Sequence, residues 1–199
     1  MIVTGCTSGG GGADPTFTPP TSTYKPPTST HSTSAAPTTT PPITTGPNVR
    51  PGEKPPTLPA VGKTNTAAGA LAFADYWMRT LDWGYATTDS SLAKAAFLPT
   101  CSNCMILVKQ FDDAQAKDRH FRGGRSSVLS SALQANDHHD GATAVDDVTV
   151  STGPLQVLDN GGHVVDSAPA TPSLTFRTWL KWQSSAWQVA DWKEAVAKK

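Results

Sequence analysis

Residues 173–192 read SLTFRTWLKWQSSAWQVADW. Leu174, Phe176, Thr178, Leu180 and Trp182 share one parity, and polar residues stand between most of them. That is the period-2 signature of a strand with one buried face. Ser184-Ser185 turns the chain, and Trp187, Val189 and Asp191 run back on a matching parity. The stretch therefore predicts an antiparallel hairpin with Trp182 and Trp187 facing a core. Upstream, Asn160-Gly161-Gly162 is a tight-turn signal between Leu155/Val157 and Val164-Val165. Ala142, Ala144, Val148 and Val150 share a parity. Leu129, Ser131 and Leu133 alternate with Ser130 and Ala132. The period-2 region begins after Gly123-Gly124, where a bulge is expected to curve the sheet.

Before those glycines the period is helical. Thr64-Asn65-Thr66 offers N-cap oxygens. Ala70, Phe73, Ala74, Trp77 and Leu81 then recur at steps of three and four, giving one apolar stripe on a helix that ends near Gly84. Asp89 or Ser90 caps a short second helix from Leu92 to Phe97, which Pro99 stops. Cys104, Leu107, Val108, Phe111 and Gln115 form a third helix. Helices first and a meandering sheet afterwards define an α+β fold. Three N-terminal helices pack on a curved, mainly antiparallel sheet in a cone-like domain over residues 67–199.

Residues 7–66 differ sharply in composition. Thirteen of the 17 prolines lie at or before Pro59, and all six tryptophans lie at or after Trp77. A Pro/Thr/Ser/Gly-rich segment buries too little apolar area to offset its ordering entropy, so a disordered tether is expected. Some 55 such residues reach roughly 40 Å as a coil and about 170 Å when extended. Residues 1–6 carry Val3-Thr4-Gly5-Cys6, the pattern of a bacterial lipobox, in which Cys6 receives a diacylglycerol on sulfur. Only Met1–Gly5 precede it, so a signal of ordinary length is expected to begin upstream. The 16 basic and 16 acidic residues balance, which gives no support for nucleic acid as a partner. No stretch is apolar enough for a membrane-spanning helix.

Within the domain, Cys101-Ser102-Asn103-Cys104 opens a helix, where the dipole favours a thiolate. The expected role is a structural disulfide outside the cytosol, contributing about 2 kcal/mol at most. A thiol–disulfide exchanger lacks its preceding strand here. Two cysteines alone do not complete a zinc site. Cys6 is then the odd cysteine. Asp137-His138-His139-Asp140 has metal-ligand residue types, but adjacent side chains diverge, so a solvated loop and no metal site are expected. Arg119, His120, Arg122 and Arg125 form a basic cluster around Gly123-Gly124, read as a charged sheet edge.

The order of elements resembles the nuclear-transport-factor-like, or ketosteroid-isomerase-like (SnoaL-like), cone. There a long helix and two shorter ones pack into the hollow of a bent sheet. The whole chain is also similar to an uncharacterised family of actinobacterial lipoproteins. The shared features are Val3-Thr4-Gly5-Cys6, the Pro/Thr tail, the Phe73…Trp77 helix, the Cys101…Cys104 pair and the closing Trp187-Gln188-Val189 strand. The resemblance implies location and fold, and no particular activity. In a cone of this kind the hollow is the natural pocket. Its expected lining is Phe73, Trp77, Leu81, Trp182, Trp187 and Asp191; Asp191 is the carboxylate to watch there, although a strand-end aspartate near a sheet rim is usually just exposed. Asp75 is expected in solvent, off the apolar stripe, and Asp82 is a further carboxylate.

The function these readings imply is that of a lipid-anchored protein on the extracytoplasmic face of the cell membrane. Its domain binds or scaffolds an envelope protein or glycan, and no cofactor is expected. A small-molecule enzyme using a carboxylate in the hollow is the first alternative. A thiol–disulfide redox protein is the second.

Overall fold

The computed structural model describes residues 43–135, 139 and 141–195. The first long element is α1, Ala67–Thr87. Thr66 caps it, its hydroxyl accepting from the Gly69 amide at 3.0 Å. Residues at the expected spacing, Ala70, Phe73, Ala74, Trp77 and Leu81, are all buried. Thr88 ends the helix in a left-handed conformation, its amide donating to the Gly84 carbonyl. The second helix, α2, is a single turn, Ser91–Lys94, with Asp89 accepting from the Ser91 amide. The third, α3, spans Ser102–Ala116 and turns Val108, Phe111 and Ala114 into the core.

Seven strands follow among the described residues. They are β1 (His120–Gly123), β2 (Ser126–Leu133), β3 (Ala144–Thr152), β4 (Leu155–Leu158), β5 (Val164–Ala168), β6 (Thr171–Gln183) and β7 (Ala186–Glu194). They form a sheet in the order β1-β4-β5 and another in the order β2-β3-β6-β7, with every pairing between these strands antiparallel. The two are halves of one bent ladder. β1 pairs with β4 through Gly123↔Leu155, and β2 pairs with β3 from Ser126↔Thr152. Gly124 N–H···O Pro154 at 2.9 Å and Gly153 N–H···O Arg125 at 3.1 Å bridge the gap without a change of register.

The bend at Gly123-Gly124 is therefore a kink and not the expected bulge. Both glycines have positive φ, 73° and 67°. A Cβ on Gly123 would collide with the Pro154 carbonyl, and one on Gly124 with Leu155. True bulges lie elsewhere. One falls between Val128 and Ser130, leaving Leu129 exposed. Another falls opposite Trp179/Leu180, where β7 carries an extra residue at Ala190. That insertion changes which residues of β7 face the core.

The helices fill the concave side. Trp77 meets Phe97 edge-on, Tyr85 meets Phe111 and Phe121, and Val148, Val150, Leu180 and Val189 form the floor. A smaller cluster of Ala142, Val145, Trp179 and Ala190 lies on the opposite, convex face. The architecture is the expected α+β cone.

The domain begins earlier than residue 67. Residues 43–66, read from composition as tether, pack against it. Trp83 donates through Nε1 to the Ile43 carbonyl at 3.1 Å. Asn48 bridges the Tyr85 and Gly123 carbonyls, and Leu58 rests on the core. Hydrogen bonds to specific partners order this arm despite its composition. Cys6 and the tail before residue 43 lie outside the described residues. Among the described residues no helix is long and apolar enough to cross a membrane.

Candidate functional site

The arm is held by Arg125, which leads into β2. Its side chain is only 7% exposed, and its guanidinium uses every donor. Nε and Nη2 bond the two oxygens of Asp82 on α1 at 3.0 and 2.6 Å. Nη1 bonds the Asn48 carbonyl at 2.9 Å and Glu53 Oε2 at 3.0 Å, and Nη2 also bonds Glu53 Oε1. Asp82 Oδ1 accepts in addition from the Ser126 amide at 2.6 Å. The hydrogen bond from Arg125 holds the Glu53 carboxyl below the ordinary range against the effect of burial. Burial opposes the Arg125 charge, but its two carboxylate partners outweigh it and raise the guanidinium pKa. This clasp borders a groove of ≈ 520 Å³ that also includes Lys54, Asp75, Met78 and Arg79. With its donors saturated, Arg125 is not available to a ligand anion. Of the basic residues around Gly123-Gly124, read as a charged sheet edge, Arg122 bonds Gln156 across β1 and β4.

The expected pocket lining is corrected in two respects. Phe73, Trp77, Leu81 and Trp187 are buried at 3, 0, 5 and 4% exposure and pack on one another with Trp182. They belong to the core cluster. Asp191 is not in the hollow. The extra residue at Ala190 puts it opposite Trp179, on the convex side. There it accepts from Asn103 Nδ2 at 3.0 Å and lies 3.6 Å from His139 Nε2. Asp75 is half-buried and pairs with Arg79 at 2.8 Å. Of Asp137-His138-His139-Asp140, only His139 is among the described residues; it stands edge-on to Trp179.

Among the described residues, a carboxylate that does face the hollow is Asp146 of β3, fully buried on the same face as Val148 and Val150. The Ser131 hydroxyl donates to its Oδ2 at 2.5 Å. Oδ1 has no partner. Desolvation raises its pKa above the ordinary carboxylate range. Asp146 lies opposite Thr178 on β6, which lies opposite Trp192 on β7. Thr178 Oγ1 and Trp192 Nε1 are likewise buried and unpartnered. An orphaned buried polar group costs about 1–3 kcal/mol, and natural cores hold few. Sequence reading misses this row, although the alternation that assigns Val148 and Val150 to the core assigns Asp146 to it as well.

Trp192 stacks on Phe176 with ring centroids 4.3 Å apart and also borders a second groove, of ≈ 530 Å³. Its walls are Asn103, Ile106, Leu107 and Gln110 of α3 and the end of β7. Ile106 is 71% exposed at its edge. Cys101 and Cys104 lie at the start of the same helix with sulfurs 2.00 Å apart, at disulfide distance. Both are buried, which puts them out of reach of a partner thiol.

A family pattern matches residues 50–193, the arm from Arg50 onward and the whole cone. The chain belongs to DUF6318, a family of unknown function. No curated protein matches it significantly. Among solved structures, the DUF6318 domain is similar to the intermembrane space region of chloroplast protein ARC6. That likeness has 12% identity and a TM-score of 0.48, covering 67% of this chain and 99% of the other. Aln2 from a Streptomyces species is similar at 13% identity and a TM-score of 0.38, covering 61% and 83%. These likenesses are distant, and the fold assignment of the DUF6318 domain rests on its own strand register.

Proposed function

We propose that this chain is an actinobacterial lipoprotein, held on the extracytoplasmic face of the membrane by a lipid on Cys6. Its cone domain, set off by the Pro/Thr tether, binds or scaffolds an envelope protein or glycan. The observation that carries the reading is the closed Cys101–Cys104 pair, sealed in the core at the start of α3. Such pairs persist in oxidising compartments and are rare in the cytosol. The lipobox pattern Val3-Thr4-Gly5-Cys6 and the leader behind it support the same location. Binding is favoured over catalysis because the side chains expected to line a substrate pocket are packed on one another. The test is cell fractionation with the full-length gene in its native host. Cys6→Ala should move the protein from the membrane to the soluble fraction or medium. Membrane retention equal to wild type overturns the anchor.

A further inference from the structure

Asp146, Thr178 and Trp192 stand in line across β3, β6 and β7 on the concave face. Directly opposed residues in such a ladder have Cβ atoms about 4.5–5.5 Å apart. Asp146 and Thr178 are fully buried, and each member of the line presents one polar atom without a partner, namely Oδ1, Oγ1 and Nε1. The line is not sealed at both ends. At β7 the Trp192 indole is also a wall of the groove beside α3, where Ile106 and Leu107 supply apolar surface. Two independent observations, an open apolar groove and a set of unsatisfied buried groups behind its inner wall, thus meet at one side chain.

We propose that the groove and the line form one ligand site, for a small amphiphile with an apolar body and a neutral hydroxyl head. The body lies along Ile106, Leu107 and the Trp192 ring. The chemistry of the head follows from the three orphans. The indole N–H can only donate, so the head must accept. The Thr178 hydroxyl donates or accepts. Asp146 Oδ1 calls for a donor when the carboxyl is ionised. An alcohol oxygen accepts from the indole or the Thr178 hydroxyl and donates to Asp146, so it suits every member of the line. A carbonyl suits two of them. A carboxylate head brings a second negative charge beside Asp146, and an ammonium head has no lone pair for the indole. Among the described residues no charged side chain is bonded to Asp146. The Asp147 carboxylate next to it is engaged by Arg177 at 2.7 Å. The site does not depend on the lipid-anchor proposal, since it lies wholly within the cone.

Titration of tryptophan fluorescence in the purified full-length protein tests the site, with 1-octanol, octanoate and octylammonium as probes. The expected result is a saturable change with 1-octanol and binding at least about tenfold weaker for the two ions at neutral pH, a difference of about 1.4 kcal/mol. Thr178→Val, which keeps the side-chain shape, should weaken octanol binding about tenfold. Ile106→Glu, a change at an exposed position, should abolish it while leaving the circular dichroism spectrum unchanged. Absence of a saturable octanol signal in the wild type overturns the proposal. So does a folded Thr178→Val protein that binds octanol as tightly as wild type, or equal binding of all three probes.

Discussion

Two acidic regions of this domain stand in contrast. In the clasp, Asp82 and Glu53 surround one guanidinium, and all five of its N–H groups are used. In the hollow, Asp146 accepts from the Ser131 hydroxyl and is further steadied by the Ala132 backbone, while its Oδ1 makes no hydrogen bond, beside two further unpartnered groups. The clasp joins three separate segments, the arm, α1 and the start of β2, so its bonds resist separation of those segments. The hollow line lies within a single face of one sheet and joins nothing that the strand ladders do not already join. Matched polar groups fit a structural role. Unmatched ones lower stability, and a fold retains them where they serve another purpose.

The contrast is broken most directly at Arg125. Arg125→Met keeps an apolar stem of similar length but leaves Asp82 and Glu53 facing each other without a counter-charge. Removing one partner of a buried ion pair costs about 3–5 kcal/mol. Asp82 and Glu53 retain 15% and 22% exposure, which places the expected loss near the lower end, about 3 kcal/mol. For a domain of this size the melting temperature should fall by about 10 °C. The arm should become protease-sensitive between residues 43 and 58. A loss below about 1 kcal/mol would reduce the clasp to an ordinary surface ion pair.

The two regions should also respond to pH with opposite sign. Glu53 has a folded pKa below its ordinary value, first because Arg125 hydrogen-bonds it. Its contribution is present above the unfolded value of about 4.3 and disappears as pH falls through the folded one. Asp146 has a folded pKa above its ordinary value because burial disfavours the charge. Its contribution is complete below about 3.9 and is lost as pH rises through the folded value. Denaturant melts across this range should show wild type and Glu53→Gln converging at the acid end. Asp146→Asn should instead gain on wild type as pH rises above about 4, then level off. A pH-independent gap between wild type and Asp146→Asn would mean that water reaches the carboxylate in solution.

How far these regions are legible in the sequence follows from the range of the forces involved. The helix stripe through Phe73, Trp77 and Leu81, the Thr66 cap and the hairpin at Ser184-Ser185 rest on local periodicity and turn chemistry, and they are visible there. The clasp is not. Glu53 and Arg125 are separated by 72 residues, and Glu53 sits in a segment whose proline content reads as tether. Counting alternate residues from Trp187 and Val189 assigns Asp191 to the hollow. One extra residue at Ala190 reverses that count, turns Asp191 outward and brings Trp192 in. Bulges follow from sheet curvature and cross-strand fit, which a single strand's pattern does not encode. Asp146 is within reach of the same counting, since it lies between Ala144 and Val148. It escapes a reading that defines the buried parity by apolar residues alone.

The smallest expected effect is the sharpest test of the unmatched side of the contrast. Thr178→Val replaces a buried hydroxyl that has no partner with a methyl group of nearly the same volume. No cavity opens, no bond to another side chain is lost, and the desolvation cost of the hydroxyl disappears. The domain should gain up to about 1 kcal/mol, seen as a rise of a few degrees in melting temperature. Thr149→Val is the paired control on the convex side of the sheet, where Thr149 and Thr175 share a hydrogen bond at 2.9 Å. The same chemical change there removes a partner from Thr175 and should cost about 1 kcal/mol. Opposite signs at Thr178 and Thr149 separate an unmatched hydroxyl from a matched one by the same substitution. Equal losses at both positions would show that Thr178 has a partner in solution, and the line across β3, β6 and β7 would then be as fully satisfied as the clasp.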